Sequence, residues 1–340
     1  VKLVIQIPCL NERDQLSGML ADLPRIIDGV DEIEVLVIDD GSTDGTSDRA
    51  AELGVHHVVR FPQNRGLSAA FMAGIDAALR LGADVIVNTD ADNQYRGEDI
   101  ARLVAPVVER RADVVIGDRQ TDTIEHFSWF KRLLQRWGSR VVRSASGTRV
   151  ADATSGFRAL SRRAALGMFV HNRFSYTVET IVQGGRTGLS FENVPIRTNP
   201  KTRDSRLFKG MGQYLRRNGP VILRAYGMYR PVRTFAYVAL LFLAAGLGLV
   251  GRFLYFFAQD PGRSGHQQSL TVGVGLVVLA FLVGVVAMMS DLMAANRRLL
   301  EDLLSRMRRL DAQLAGEALR RGEPIDGVRS TGAAPWRRTG

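Results

Sequence analysis

Five short apolar runs, each set off by turn residues and most followed by a stretch of helical spacing, constrain this chain more than any other feature. Residues 3–8, 35–38, 57–61, 85–88 and 114–117 read as buried strands. Between them, residues 14–27 place Leu16, Leu20, Leu23 and Ile27 on one helical face. Helices are likewise predicted over 46–53, 67–81 and 98–110, with Asp44 as a cap for the first. This alternation predicts an α/β domain: a Rossmann-like, mostly parallel sheet with helices on both faces. Ligands of such sheets sit outside the carboxyl ends of the strands.

Those ends carry acid. The first strand runs into Pro8-Cys9-Leu10-Asn11-Glu12, the second into Asp39-Asp40-Gly41-Ser42, the fourth into Thr89-Asp90-Ala91-Asp92-Asn93-Gln94 and the fifth into Gly117-Asp118-Arg119. No G-x-G-x-x-G follows the first strand and no G-x-x-x-x-G-K-[ST] is present, so no glycine loop is evident to cradle phosphates. A bound diphosphate would need another neutraliser. Asp90 and Asp92, beside Gln94, offer the hard oxygen ligands that suit Mg²⁺ or Mn²⁺. Such an ion would bridge the two phosphates and stabilise a leaving diphosphate. Asp40, at the neighbouring strand end, is placed for a ribose or base contact.

Beyond residue 120 the pattern loosens. Helices are predicted over 129–144, 159–170 and 176–184, a strand over 191–197, a basic loop over 199–209 and an Arg- and Tyr-rich interfacial helix over 208–229. Residues 234–257 and 270–289 are then apolar enough to cross a bilayer. At 1.5 Å per residue they reach roughly 36 and 30 Å, against a hydrocarbon core of about 30 Å. Charge decides their orientation. The net charge is +10, and of 45 basic residues only four are lysines. Arg216, Arg217, Arg224, Arg230 and Arg233 precede the pair and Arg297 and Arg298 follow it, whereas the linker holds only Arg263. The positive-inside rule makes this a hairpin with both termini cytoplasmic. No secretory signal precedes the first strand, and the single cysteine, Cys9, fits a reducing compartment, so the catalytic domain is expected in the cytosol. Leu292, Leu299, Leu303, Met307 and Leu310 then share a helical face, expected to be an oligomer seam or a surface helix.

As a set, these segments resemble family 2 glycosyltransferases of GT-A fold. The resemblance rests on Ile7-Pro8-Cys9-Leu10-Asn11-Glu12, on Val37-Ile38-Asp39-Asp40-Gly41-Ser42, on Asn64-Arg65-Gly66 and on Asp90-Ala91-Asp92-Asn93-Gln94. Asp152-Ala153-Thr154-Ser155-Gly156-Phe157-Arg158 and Val194-Pro195-Ile196 are similar to the dolichyl-phosphate mannose synthase subgroup and its bacterial polyprenyl-phosphate relatives. The likeness covers roughly residues 1–210. It implies an inverting, metal-dependent enzyme that moves a sugar from a GDP- or UDP-sugar to a polyprenyl phosphate at the cytoplasmic face of the cell (inner) membrane. By position, Pro8, Leu10, Glu12, Ile38 and Asp40 would hold the nucleoside. Asp90, Asp92 and Gln94 would hold metal and diphosphate, with Ala91 lining the site and Arg119 facing the phosphates. The family's distal basic residues fall among Lys201, Arg203 and Arg206, which the altered spacing does not rank. Where the family usually has a small residue this chain has Asp118, whose role is open.

A lipid phosphate needs cations more than it needs a base, since its second pKa lies near about 6. Arg119, Arg132, Arg158, Arg203 and Arg206 supply them, and arginine pairs phosphate oxygens bidentately. Asp152 is a candidate either for a base or for orienting Arg158. The catalytic set is therefore Asp92, Asp152 and Arg158, and the acceptor set Arg132, Arg158, Lys201, Arg203 and Arg206. A transferase to a glycolipid hydroxyl is the rival reading, and an inactive membrane scaffold a more distant one. A nucleotidyltransferase lacks its glycine-rich triphosphate loop, a polymer synthase lacks Q-x-x-R-W, and no aromatic and basic platform for nucleic acid is present. The predicted order is a catalytic domain over 1–210, an interfacial helix over 211–233, a transmembrane hairpin over 234–289, an amphipathic helix over 290–321 and a disordered tail over 322–340.

Overall fold

The computed structural model describes residues 1–120, 147–148, 150–170, 176–199, 231–259 and 267–338. They fall in two units, Val1–Leu215 with Glu301–Gly340, and Arg216–Leu300.

The first unit is built on the predicted alternation. Its elements are β1 (Lys2–Cys9), α1 (Arg13–Ala21), β2 (Glu32–Asp39), α2 (Thr46–Glu52), β3 (His57–Arg60), α3 (Leu67–Arg80), β4 (Val85–Asn88), α4 (Asp99–Val108) and β5 (Val114–Asp118). There follow β6 (Arg158–Ser161), α5 (Arg162–Gly167), α6 (Thr177–Arg186) and β7 (Phe191–Pro195). Sheet order is β7-β5-β6-β4-β1-β2-β3. Strands β1, β2, β3 and β4 are mutually parallel, as are β5 and β7, and one apolar core packs Leu3, Ile5, Ile7, Val35, Val37 and Val87 under α1 and α4.

One reversal matters for function. Strand β6 runs antiparallel between β4 and β5, pairing Asn88 with Arg158 and Ile116 with Arg158. The turn that precedes it therefore arrives at the edge where β1, β2, β4 and β5 end. The helix predicted over 159–170 is corrected here. Ala159 and Leu160 are buried strand residues, and Ser161 caps a shorter α5 by accepting the Ala164 N–H. Ala, Leu and Arg are good helix formers, but pairing on both sides overrides propensity.

Two long helices come next, α7 (Pro231–Gln259) and α8 (Gln267–Arg320). Phe235–Gln259 and the apolar stretch of α8 are long and apolar enough to cross a membrane, by length and composition. Within the second unit they approach at glycines: a Cβ on Gly246 would lie 2.8 Å from the Gly273 carbonyl oxygen. The helix expected over 290–321 is no separate element, because no proline or cap interrupts α8 before Arg320. Its last turns belong to the first unit, where Arg308 pairs with Asp76 at 2.7 Å and lies 4.1 Å over the Phe169 ring.

The disordered tail is also corrected. Residues Arg329–Ser330 and Trp336–Arg337 form β8 and β9, which add antiparallel to β3 and β2. Ile325 and Val328 are buried, and the Trp336 ring meets His56 edge-on at 5.3 Å. An edge strand with open N–H and C=O groups is a template for pairing, and these few residues take it.

Candidate active site

The ends of β1 and β2 are laced together. Asn11 adopts a left-handed conformation (φ 54°), which asparagine tolerates. Its N–H donates to the Ser42 hydroxyl at 2.9 Å, and its side-chain oxygen accepts the Thr43 N–H at 2.9 Å. Buried Asp39 accepts the Ser42 N–H and the Ser47 hydroxyl and so builds the turn. The cap expected at Asp44 is corrected: Gly45 (φ 85°) is the N-cap of α2, and Asp44 one residue earlier accepts the Thr46 N–H and the Arg13 N–H. Asp40 faces inward. One carboxylate oxygen accepts the Arg65 N–H at 2.7 Å and the other the Gly66 N–H at 2.9 Å. Asn64-Arg65-Gly66 is thereby tied to the β2 end.

Of the residues expected at the nucleoside, Pro8 and Ile38 are register partners in β1 and β2, with buried side chains. Leu10 is partly exposed and Glu12 is buried, its N–H donating to the Thr46 hydroxyl.

Asp90 and Asp92 stand at the end of β4, both partly exposed, around buried Ala91. Asp92 accepts the Gln94 N–H at 3.2 Å, and Asn93 takes a left-handed φ of 55°, so the loop turns sharply after the pair. Gln94 in turn accepts the Asn199 N–H through its carbonyl, and Tyr95 bridges to Thr198. Burial and the nearby charge of Asp92 push the Asp90 carboxyl up to about 7, although Arg119 and Arg158 pull the other way. No N–H or O–H among the described residues donates to Asp90. Asp90, without a donor among the described residues and beside the Asp92 carboxylate, fits a divalent cation, which would supply the positive charge that its side chain lacks. Among the described residues no cluster of three or more His, Cys, Asp or Glu side chains is present, so an ion at this pair would also need ligands of another kind, such as Gln94 or the diphosphate itself.

The turn before β6 walls this pair. Gly156 lies against Asp90: a Cβ there would sit 3.2 and 3.3 Å from the two carboxylate oxygens and 2.8 Å from the Tyr176 hydroxyl. Arg119, from the β5 end, grips Asp152 bidentately at 2.7 and 3.2 Å and reaches the Thr154 hydroxyl at 2.7 Å. Its Nη1 has no acceptor among the described residues. Burial alone would raise the Asp152 pKa; the hydrogen bonds and charge of Arg119 outweigh it and hold that carboxyl below its ordinary value. Asp152 thus orients Arg119, not Arg158.

Arg158 is a correction. Its side chain is 1% exposed, and its guanidinium donates to the Ser155, Ala153 and Thr177 carbonyls and to the Thr180 hydroxyl. It is the post that holds the turn from beneath and presents no face to an acceptor. Arg132, Lys201, Arg203 and Arg206 lie outside the described residues. Sequence reasoning missed Asn88, Tyr95, Gly156 and Tyr176, which meet only through the reversed strand. The one available signal was polar Asn88 and Gln6 inside otherwise apolar strands.

Residues 4–168 match the family described as glycosyl transferase family 2. The chain is 30% identical to the polyprenol monophosphomannose synthase of Mycolicibacterium smegmatis, over 57% of this chain and 76% of that protein. It is 34% identical to the undecaprenyl-phosphate mannosyltransferase of Micrococcus luteus, over 56% of this chain and 80% of that one. Among solved structures, glucosyl-3-phosphoglycerate synthase from Mycobacterium tuberculosis in complex with Mn²⁺ and UDP-glucose superposes with a TM-score of 0.51 at 21% identity, covering 66% of this chain and 79% of that one. This last likeness is one of fold.

Proposed function

The chain belongs to glycosyl transferase family 2, and on that premise we propose that it transfers a sugar from a nucleoside diphosphate sugar to a polyprenyl phosphate, with inversion at the anomeric carbon. The observation that carries the proposal is the Asp90–Asp92 pair at the β4 end, walled by Gly156 and flanked by the Arg119–Asp152 pair. Asp90, Asp92 and Gln94 would hold Mg²⁺ or Mn²⁺, which when bound supplies charge to neutralise the departing diphosphate. Pro8, Leu10, Glu12, Ile38 and Asp40 frame the nucleoside end, with Asp40 acting at least through the Arg65–Gly66 loop. Arg119, its orientation set by Asp152, directs Nη1 at phosphate oxygens.

In the transfer itself an acceptor phosphate oxygen forms the new bond to the anomeric carbon. The bond to the diphosphate breaks, and the nucleoside diphosphate leaves with the electron pair. An acceptor that is already an anion needs no proton removed. Asp152, committed to Arg119 and held ionised, suits that chemistry better than it suits a hydroxyl acceptor. The M. smegmatis polyprenol monophosphomannose synthase and the M. luteus undecaprenyl-phosphate mannosyltransferase support the same acceptor class. The two apolar helices would anchor the enzyme in the cell membrane, with the transfer at its cytoplasmic face.

The test is transfer by the full-length protein in detergent. Labelled GDP- and UDP-sugars are offered with undecaprenyl phosphate, dolichyl phosphate or a glycolipid bearing only hydroxyls. Label should reach only the phosphates, vanish in excess chelator and return with Mn²⁺ or Mg²⁺. Label on the hydroxyl lipid alone, or full activity in chelator, would reject the proposal.

A further inference from the structure

The central strands carry two polar side chains where a parallel sheet calls for apolar ones. Gln6 in β1 and Asn88 in β4 are both 0% exposed, among Val4, Ile5, Ile7, Ile86 and Val87. Burying amides costs stability unless each finds partners. Asn88 does: its oxygen accepts from Gln6 Nε2 at 2.8 Å, and its Nδ2 donates to the Gly156 carbonyl at 2.8 Å and to the Tyr176 hydroxyl at 2.9 Å. Gln6 does so only in part, since its own side-chain oxygen is buried without a partner. A sheet that accepts such an arrangement at its centre is serving something other than packing.

What the network touches identifies that purpose. Asn88 is two residues before Asp90, and its amide fixes Gly156, the residue in contact with the Asp90 carboxylate. Tyr176 is itself immobilised, stacked on Phe71 with ring centroids 3.9 Å apart and planes 5° apart. We propose that Gln6, Asn88 and Tyr176 are positioning residues that register the turn over Asp90, and through it the Asp90–Asp92 pair, for divalent-metal binding. The inference rests on the proposed metal role of that pair. None of the three touches substrate or metal; they act by fixing where the wall stands. Groups behind metal ligands change metal affinity by about 10–100-fold when removed.

The decisive variant is the double replacement Gln6→Leu with Asn88→Leu. It exchanges both amides for apolar side chains of similar size, which is nearly neutral for folding when both partners go together. Tyr176 can then still donate to the Gly156 carbonyl, a contact already present at 3.4 Å. Mn²⁺ binding to full-length protein in detergent is measured by the loss of free-ion electron paramagnetic resonance signal, beside a thermal unfolding scan. The inference expects an unchanged or higher unfolding temperature with Mn²⁺ binding weakened about tenfold. Tyr176→Phe, which keeps the stack on Phe71, should weaken binding in the same direction. Wild-type Mn²⁺ affinity in a stable double variant overturns the inference. If the double variant fails to fold, wild-type affinity in Tyr176→Phe does so by itself. Failure of the wild-type protein to bind Mn²⁺ would instead reject the proposed metal role.

Discussion

Replacing buried Gly156 by alanine tests the wall from the side that meets Asp90. The new methyl group would lie 2.8 Å from the Tyr176 hydroxyl oxygen and 3.2 and 3.3 Å from the Asp90 oxygens. Tyr176 is held by the Phe71 stack and by Asn88, so it yields little. Relief of the clash calls for a shift of about 0.5 Å, taken from the turn or from the Asp90 side chain. A misplacement of about 1 Å near reacting groups costs on the order of a hundredfold. Half that distance corresponds to about tenfold in kcat/KM, or about 1.4 kcal/mol of transition-state stabilisation. Overpacking should also lower stability by about 1–3 kcal/mol. The assay is label transfer to polyprenyl phosphate at saturating Mn²⁺, with thermal unfolding measured on the same preparation. A variant that keeps wild-type kcat/KM would refute the claim that Gly156 sets the position of Asp90.

Two further outcomes follow from particular contacts. Arg158→Met leaves three carbonyls and a hydroxyl without their donor, so stability should fall by more than about 3 kcal/mol in denaturant titration; an unchanged midpoint with only a raised KM for the lipid phosphate would restore Arg158 to the acceptor set. Acidification should loosen the C-terminal strands: His56 accepts the Val35 N–H and bonds the Ala334 carbonyl, which fits the neutral ring alone, and burial lowers its pKa despite that carbonyl. The unfolded histidine gains its proton near about pH 6.5 while the folded one resists, so the docking stability is full above that pH and is lost as pH falls below it. Hydrogen exchange over residues 328–338, corrected for intrinsic rate, should then show less protection at pH 5.5 than at pH 7.5 in the wild type and no such difference in His56→Asn.

Much of the catalytic unit could be read from local pattern. The five strand runs and the helices between them rest on short-range periodicity, and the structure keeps each within a few residues except α1, which ends at Ala21 instead of reaching Ile27. Leu23 and Ile27 are buried all the same. The apolar pattern records burial, whereas the helix stops at the Asp22 turn. Arg158 shows the opposite case. Its residue type and its place in a motif suggested a phosphate ligand, and only its four acceptors reveal a structural post.

By itself the sequence determined the α/β alternation, the acidic strand ends and the length of the two apolar helices, because each depends on residues a few positions apart. Tertiary structure alone decided what surrounds Asp90. Strand β6 enters the sheet reversed and joins Asn88 to Gly156 across 68 residues. It also decided the fate of the tail, which pairs with β2 and β3 from some 300 positions away. Hydrogen-bond partners that distant leave no periodic trace in a chain, since pairing is selected by which edges and orphaned groups the fold leaves open.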